Sequence, residues 1–381
     1  MDSIVKVLLF YHSGAMPNAH CIFRELAKSE SIELTAVVPE AVQVDRVFDS
    51  SGWLRAGRET SADGYRYLSI PLRDPCRYVL GFDRKAMRKV LRDAKPDIIQ
   101  VLAEPTSRYL SQVIWERLPI CPSAKVLFYG FENLPIQFRG IRSWLKWRAT
   151  WQQVAGGAAA NSEVFAQLSA AGFPRGRILE RIFWGISTEV FRPMNREVVK
   201  SQLKLNHEHI VGFVGRLVDE KGVLDLLKAI QSLPSSVHGV FIGSGPLKAA
   251  LENQGRIHAF DVMPPEQLAS YLNCMNVIAV PSLTTSHWKE QYGRVIAEAM
   301  ACGVPVVGSD SGAIPEVIDD AGIIVPEHDV PGLTKAIHQA IFNTEIRERL
   351  RQHGSERAER EFSAHTMARR LTSLYNKVLK N

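Results

Sequence analysis

The feature that most restricts how this chain can fold is a repeated alternation of short apolar strands with helical stretches, where strand after strand runs into a glycine-containing loop. It occurs twice. The first series opens with IVKVLLFYHSGAM (4–16) and continues through a helical stretch from His20 to Ser29, the strand IELTAVVP, a basic helix from Arg84 to Ala94, and the strands DIIQVLA and KVLFYGF. The second opens with HIVGFVGRLVDEKG (209–222). It continues through a helix from Val223 to Leu233, the strand GVFIGSG, helices Pro246 to Asn253 and Pro265 to Asn273, the strand VIAVPS, a helix from Gly293 to Ala301 and the strand VPVVGSD. Strands alternating with helices build parallel sheets covered on both faces. The expected fold class is α/β, with two doubly wound Rossmann-like domains. The proline-broken segment FRPMN (191–195) marks the expected junction. Residues 1–192 then form the first domain and 193–361 the second, with a terminal helical stretch at 362–381 that no strand follows.

A chain of 381 residues suffices for two such domains, each with its own core. Hydrophobic residues make up 46% and charged residues 23%, a globular balance, and no run approaches the roughly 18 apolar residues of a membrane span. Lys6 interrupts the apolar opening and no cleavage site follows, so the segment reads as a buried strand and not a signal peptide; the expected location is the cytosol. The five cysteines are odd in number and never spaced CxxC, which argues against a disulfide framework and against a zinc site. Charge is uneven: residues 1–192 hold 26 Lys and Arg against 19 Asp and Glu. That excess suggests an acidic partner.

In open parallel sheets, ligands collect where strands end and helix N-termini present free N–H groups to anions. FVGRLVDEKG (213–222) leaves its strand with Gly215, then offers Arg216 and Lys221, two cations suited to a diphosphate. IGSGP (242–246) is a second glycine turn, at Gly243. The third corner is EQYGRVIAEAMACGVPVVGSDSGAIPEVI (290–318), where Gly293 frees the backbone at a helix start between Glu290 and Glu298. Eight helical positions turn about 800°, so the two acids share no face of one continuous helix. Either Glu290 lies in a loop and both reach one ligand, or one is a first-turn acid and the other a solvated charge. The small residues Ala297, Ala299, Ala301 and Gly303 suit close packing of the helix on the sheet.

These motifs, with GISTEVFRP (185–193) and GIIVPEHD (322–329), resemble the family 4 retaining glycosyltransferases of the GT-B fold. The resemblance implies two Rossmann-like domains facing across a cleft, with the last helix crossing back to the first domain and closure on binding. It implies a nucleotide-diphosphate-sugar donor on the second domain, with no cofactor and no metal; no DxD pair stands at a strand end to hold one. Arg216 and Lys221 would neutralise the diphosphate, Glu298 would hold the ribose, and Glu290 would address the sugar hydroxyls near the anomeric carbon. Gly14, Gly215, Gly243, Gln291, Tyr292, Gly293 and Arg294 would complete the donor site, and Phe260, Val262 and Met263 would pack the base. Retention would follow from front-face attack, with the donor phosphate taking the acceptor proton.

Acceptor-side candidates are Glu104, Glu132 and Asn133 at successive strand ends, with His12 and His20 ranked behind them. Many members of that family carry a histidine on one of these loops; here Gln100, Glu104, Gly130 and Glu132 occupy the region. RGIRSWLKWRATWQQ (139–153) interleaves cations with tryptophans. It suits either a helix docked by its Trp side or one lying on an anionic membrane surface, peripheral at the inner face. Neither this helix nor the basic one at Arg84 carries a nucleic-acid motif. The expected activity is transfer of a hexose, glucose first, from a UDP-sugar such as UDP-glucose to a saccharide or lipid-linked acceptor in polysaccharide or glycoconjugate synthesis. A nucleotide-sugar epimerase of the same fold and a non-catalytic sugar-nucleotide-binding regulator are the rivals.

Overall fold

The computed structural model describes residues 4–16, 19–43, 53–57, 63–136, 138, 140–252 and 254–380. Pro17, Asn18, Arg139 and Asn253, which belong to stretches singled out above, lie outside that set. The chain divides into two compact units, residues Met1–Gly185 with Ala364–Asn381, and Ile186–Ser363. The division thus falls ahead of Pro193, and hydrogen bonds explain why. The Ile186 amide donates to the Phe362 carbonyl at 2.8 Å. The Met194 amide donates to Asn273 Oδ1 at 2.7 Å, and Asn273 Nδ2 donates to the Arg192 carbonyl at 3.0 Å. The stretch 186–194 is therefore tied to the second unit.

In chain order the first unit contains β1 (Val5–Tyr11), α1 (His20–Ala27), β2 (Ile32–Pro39), β3 (Ala41–Gln43), β4 (Trp53–Arg55), β5 (Arg66–Ile70), α2 (Arg84–Ala94), β6 (Ile98–Leu102), α3 (Arg108–Arg117), β7 (Lys125–Gly130), α4 (Ile141–Gln152), β8 (Val154–Ala159), α5 (Ser162–Ala170) and β9 (Ile178–Leu179). Seven of these strands form one sheet in the order β5-β2-β1-β6-β7-β8-β9, every pair parallel. Continuous apolar strands such as VKVLLFY suit it because both faces are covered. One face packs Phe10, Phe82, Tyr109 and Phe128; the other packs Ile22, Phe23 and Leu26 of α1 against Met367, Leu371, Leu374 and Tyr375 of the C-terminal helix Ala364–Leu379. In α4, Trp147 and Trp151 are buried with rings 3.8 Å apart, whereas Ile141 and Leu145 face solvent.

The second unit continues with α6 (Arg196–Leu203), β10 (His209–Val214), α7 (Val223–Ser232), β11 (Val237–Ile242), α8 (Lys248–Leu251), β12 (Ile257–Phe260), α9 (Pro265–Cys274), β13 (Val277–Val280), α10 (Arg294–Ala301), β14 (Val306–Ser309), α11 (Ile314–Ile318), β15 (Ile323–Val325), α12 (Val330–Phe342) and α13 (Thr344–Arg357); the C-terminal helix is α14. Its sheet is also fully parallel, in the order β12-β11-β10-β13-β14-β15. The order reverses between β10 and β13, and ligands of open α/β sheets lodge at such a switch point. The helix expected from Pro246 shrinks to the single turn of α8. Every residue of α10 except Arg294 is buried, which its run of alanines permits.

Among the described residues, no helix is long and apolar enough to cross a membrane.

Candidate functional site

The loops that leave β10 and β13 meet at the switch point of the second sheet. Lys221, on the β10 loop, places Nζ 2.6 Å from Glu290 Oε2, on the β13 loop. Glu290 also accepts hydrogen bonds from Ser282 Oγ at 3.0 Å and from the Gly293 amide at 3.1 Å. Burial alone would raise the pKa of this carboxyl; the charge and hydrogen bond of Lys221, with Ser282 and Gly293, outweigh it and hold the group below the usual carboxylate range. Glu290 precedes α10, so it occupies a loop, and Gly293 turns the chain into the helix at φ 65°, where only glycine is at ease.

Arg216 joins the same corner. Its guanidinium bonds Glu220 at 3.2 Å and lies 6.0 Å above the Trp288 ring, over which Lys221 Nζ also sits at 4.5 Å. Two cations therefore share one indole, which offsets part of their mutual repulsion. Sequence reasoning overlooked both Trp288 and Ser282. A Trp two residues before the glutamate was the available signal, though nothing in its spacing distinguished it from a core aromatic.

Glu298 sits in the second turn of α10, nearly buried, with Arg294 Nε 2.7 Å from Oε1. Burial raises its pKa, and the Arg294 charge and hydrogen bond oppose this without cancelling it. The Gly215 and Gly243 turns are nested: a Cβ on Gly243 would lie 1.9 Å from the Gly215 carbonyl oxygen, so only glycine lets the two loops touch. The Gly243 amide in turn donates to the Phe260 carbonyl at 2.9 Å. Phe260 is half-buried against Tyr271, Met263 is half-buried and Val262 is exposed. Gln291 and Tyr292 are half-buried in the turn before α10.

In the first unit, the strand order reverses beside β1, where the β1 and β6 loops emerge. Glu104, past the end of β6, accepts hydrogen bonds from the Phe131 and Glu132 amides at 2.8 and 2.9 Å. Its carboxyl is pushed up to about 7, chiefly by removal from water and further by the Glu132 charge, against the pull of the two amides. His12 stacks on Tyr78 at 4.2 Å, and burial pushes its imidazole down to about 4 despite a hydrogen bond with the Leu102 backbone. Gly14 is buried in the β1 loop, its amide donating to the Tyr11 carbonyl at 3.1 Å. Asn133 is fully buried, with Nδ2 donating to Glu163 and its carbonyl accepting from Gln167. Gln100 lies inside β6, fully buried, and His20 bonds Tyr65 at 2.6 Å. The structure thus gathers His12, Gly14, Glu104 and Glu132 at the ends of the neighbouring strands β1, β6 and β7.

Two doubly wound parallel sheets of this kind make the fold GT-B. Sucrose-phosphate synthase from Thermosynechococcus elongatus superposes with a TM-score of 0.73 at 19% identity, covering 99% of both chains. HepE of Anabaena, solved in complex with UDP-glucose, superposes with a TM-score of 0.72 at 16% identity, covering 98% of this chain and 99% of that one. At the level of sequence, residues 208–343 match the model of the family described as glycosyl transferases group 1. The chain is 29% identical over 210 residues to the capsular polysaccharide biosynthesis glycosyltransferase CapM of Staphylococcus aureus, covering 51% of this chain and 53% of that protein. It is 30% identical over 240 residues to spore coat protein SA of Bacillus subtilis, covering 57% and 63%. A D-inositol 3-phosphate glycosyltransferase of Corynebacterium glutamicum is 30% identical over 219 residues, covering 52% and 51%. The matches therefore span about half of these curated relatives, or somewhat more.

Two predictions follow from the electrostatics of these corners. Lys221→Met strands the buried Glu290 carboxylate and is expected to destabilise the second unit by about 3–5 kcal/mol, whereas adding Glu290→Gln should recover most of that loss. Urea unfolding of the single and double variants decides it; an equally unstable double variant would contradict the pairing. For Glu104, whose folded pKa lies above the ordinary 4.5, the stabilisation is fully present below about 4.5 and is lost as pH rises through about 7. Glu104→Gln keeps an acceptor for the two amides but has no proton to lose. Its stability should gain on that of the parent chain between pH 5 and 8, and parallel pH profiles would refute the assignment.

Proposed function

We propose that the protein is a retaining hexosyltransferase that moves a sugar, glucose as the first choice, from a UDP-sugar to a saccharide or lipid-linked acceptor in polysaccharide or glycoconjugate synthesis. The observation that carries this reading is the pair of cations, Arg216 and Lys221, held over one indole where the β10 loop meets the N-terminus of α10. Relatives named for capsular polysaccharide and inositol-phosphate glycosyl transfer, and a fold neighbour solved with UDP-glucose, support the same class of donor and product.

In the proposed step the bond from the anomeric carbon to the β-phosphate oxygen breaks, its electron pair leaving with the nucleoside diphosphate. The acceptor oxygen bonds to the anomeric carbon on the same face and passes its proton to a donor phosphate oxygen. Charge grows on the leaving phosphate, where Arg216, Lys221 and the positive N-terminal end of α10 would stabilise it; this role is assigned to them and not to a metal ion. Glu290, held charged, is suited to accept hydrogen bonds from sugar hydroxyls and unsuited to donate a proton. Glu298 is assigned to hold the ribose, and Phe260, Val262 and Met263 to pack the base. On the acceptor side, Glu104 and Glu132 are assigned to orient the incoming hydroxyl.

Thermal-shift titration with UDP-, GDP- and ADP-sugars tests the donor, since a ligand at 100 times its Kd stabilises by about 2.7 kcal/mol. Arg216→Ala and Lys221→Ala should each lower kcat by about 10²- to 10³-fold, as loss of one preorganised charge does elsewhere. Folded variants that turn over near normally would sink the reading. Release of free nucleotide with an unchanged anomeric configuration distinguishes transfer from epimerisation, in which the nucleotide stays attached, and from a regulator without turnover.

The exposed Ile141 and Leu145 on α4, interleaved with Arg142, Lys146 and Arg148, favour peripheral contact with the inner membrane surface, where a lipid-linked acceptor would lie. Co-sedimentation with vesicles should increase with their anionic lipid content and fall on Leu145→Glu; binding indifferent to lipid charge would exclude it.

A further inference from the structure

At the opposite end of the second sheet from the donor corner, three histidines distant in sequence converge. His207 lies just before β10, His238 is the second residue of β11 and His258 the second of β12. These strands are adjacent, and the register pairs Val240 with His258, so His238 and His258 point to the same face. His238 Nδ1 lies 3.2 Å from His258 Nε2. The His207 ring stacks on His238 at 3.8 Å and on His258 at 4.5 Å. One nitrogen of each ring falls within 4.8 Å of the others.

We infer that His207, His238 and His258 form a binding site for one divalent transition-metal ion of the zinc, nickel or copper type. Metal–imidazole bonds of about 2.0–2.1 Å at tetrahedral angles separate the ligand nitrogens by about 3.3 Å. The His238–His258 pair already has that spacing. Binding would exchange the hydrogen bond between these two rings for two metal bonds and swing His207 out of its stack as the third ligand, leaving one position for water. All-nitrogen ligation selects for zinc, nickel or copper over the oxygen-seeking magnesium and calcium.

The surroundings keep the ligands ready. All three rings are half-buried. Burial first, then the neighbouring imidazoles, lower the pKa of His238 and His258, and Arg256 adds to the effect at His238. Arg256 is itself fixed by the carbonyls of Leu233, Pro234 and Val237, so this charge stays in place. Neutral imidazoles are the form that ligates a metal. The ion would tie the segment before β10 and the edge strand β12 to β11, which makes it a structural clamp distinct from the donor corner. The inference does not rest on the proposed transferase reading.

The test uses the full chain with any polyhistidine tag removed. Calorimetric titration with Zn²⁺ is expected to give one equivalent, with affinity lowered more than about a hundredfold in each of His207→Gln, His238→Gln and His258→Gln, beyond what loss of an outer partner costs. His338→Gln should bind as the parent does. The result that overturns the site is no binding, or binding that survives any one of the three ligand substitutions. Should a variant misfold, the parent chain still decides: Zn²⁺ must shift the Cε1–H resonances of all three histidines together, and titration of only one or two refutes the triad.

Discussion

The ion pair between Lys221 and Glu290 governs how the second unit presents its chemistry. Both charges are largely removed from water, and desolvation on that scale is tolerated only when geometry and additional hydrogen bonds compensate it. Here Ser282 and the Gly293 amide complete the carboxylate. The consequence is mechanical as well as electrostatic. The β10 and β13 loops are locked together across the switch point, and the start of α10 is fixed because its Gly293 amide belongs to the same network. An anion arriving there meets cations that have already been oriented, which is where preorganised electrostatics outperform water.

The same corner shows why small residues recur in this sequence. Gly243 allows the β11 loop to touch the Gly215 carbonyl, and the alanines of α10 allow a fully buried helix to lie close to its sheet. Strand ends thereby crowd into one place, and the turn amides of Gly215, Gly243 and Gly293 are taken up in holding the loops together. Substituting bulk at Gly243 would separate the loops, whereas bulk at the buried alanines of α10 would overpack the core itself.

Much of this architecture was legible because hydrophobic periodicity reports on burial, and strands such as VKVLLFY and HIVGFV bury both faces. β8 was not legible. Its sequence VAGGAA lacks the branched and aromatic residues that signal a strand, because the Phe128 ring lies 2.3 Å from where a Cβ of Gly157 would stand. A neighbour's bulk chose these residues, and that information is absent from the segment itself. The loop position of Glu290 was foreseen as one of two alternatives from helical geometry, while Trp288 was not, since a cation–aromatic contact is fixed by the fold and not by spacing. The three converging histidines lie on three separate strands or their approaches, and no linear motif joins them; only parallel register brings them together.

The protonation states of the buried acids follow from their partners. Glu290 and Glu298 are both nearly buried and each is paired with one cation, yet they are driven in opposite directions. The difference lies in the number of donors: Glu290 receives a lysine, a hydroxyl and a backbone amide, whereas the pairing at Glu298 is the single i,i+4 contact of Arg294 on its own helix. A carboxylate with three donors is a fixed negative charge, and one with a single donor retains acceptor capacity for hydroxyl groups that a ligand would bring. Burial at Glu298 is thus left partly uncompensated, so this acid is the one whose protonation responds more to any further donor brought beside it.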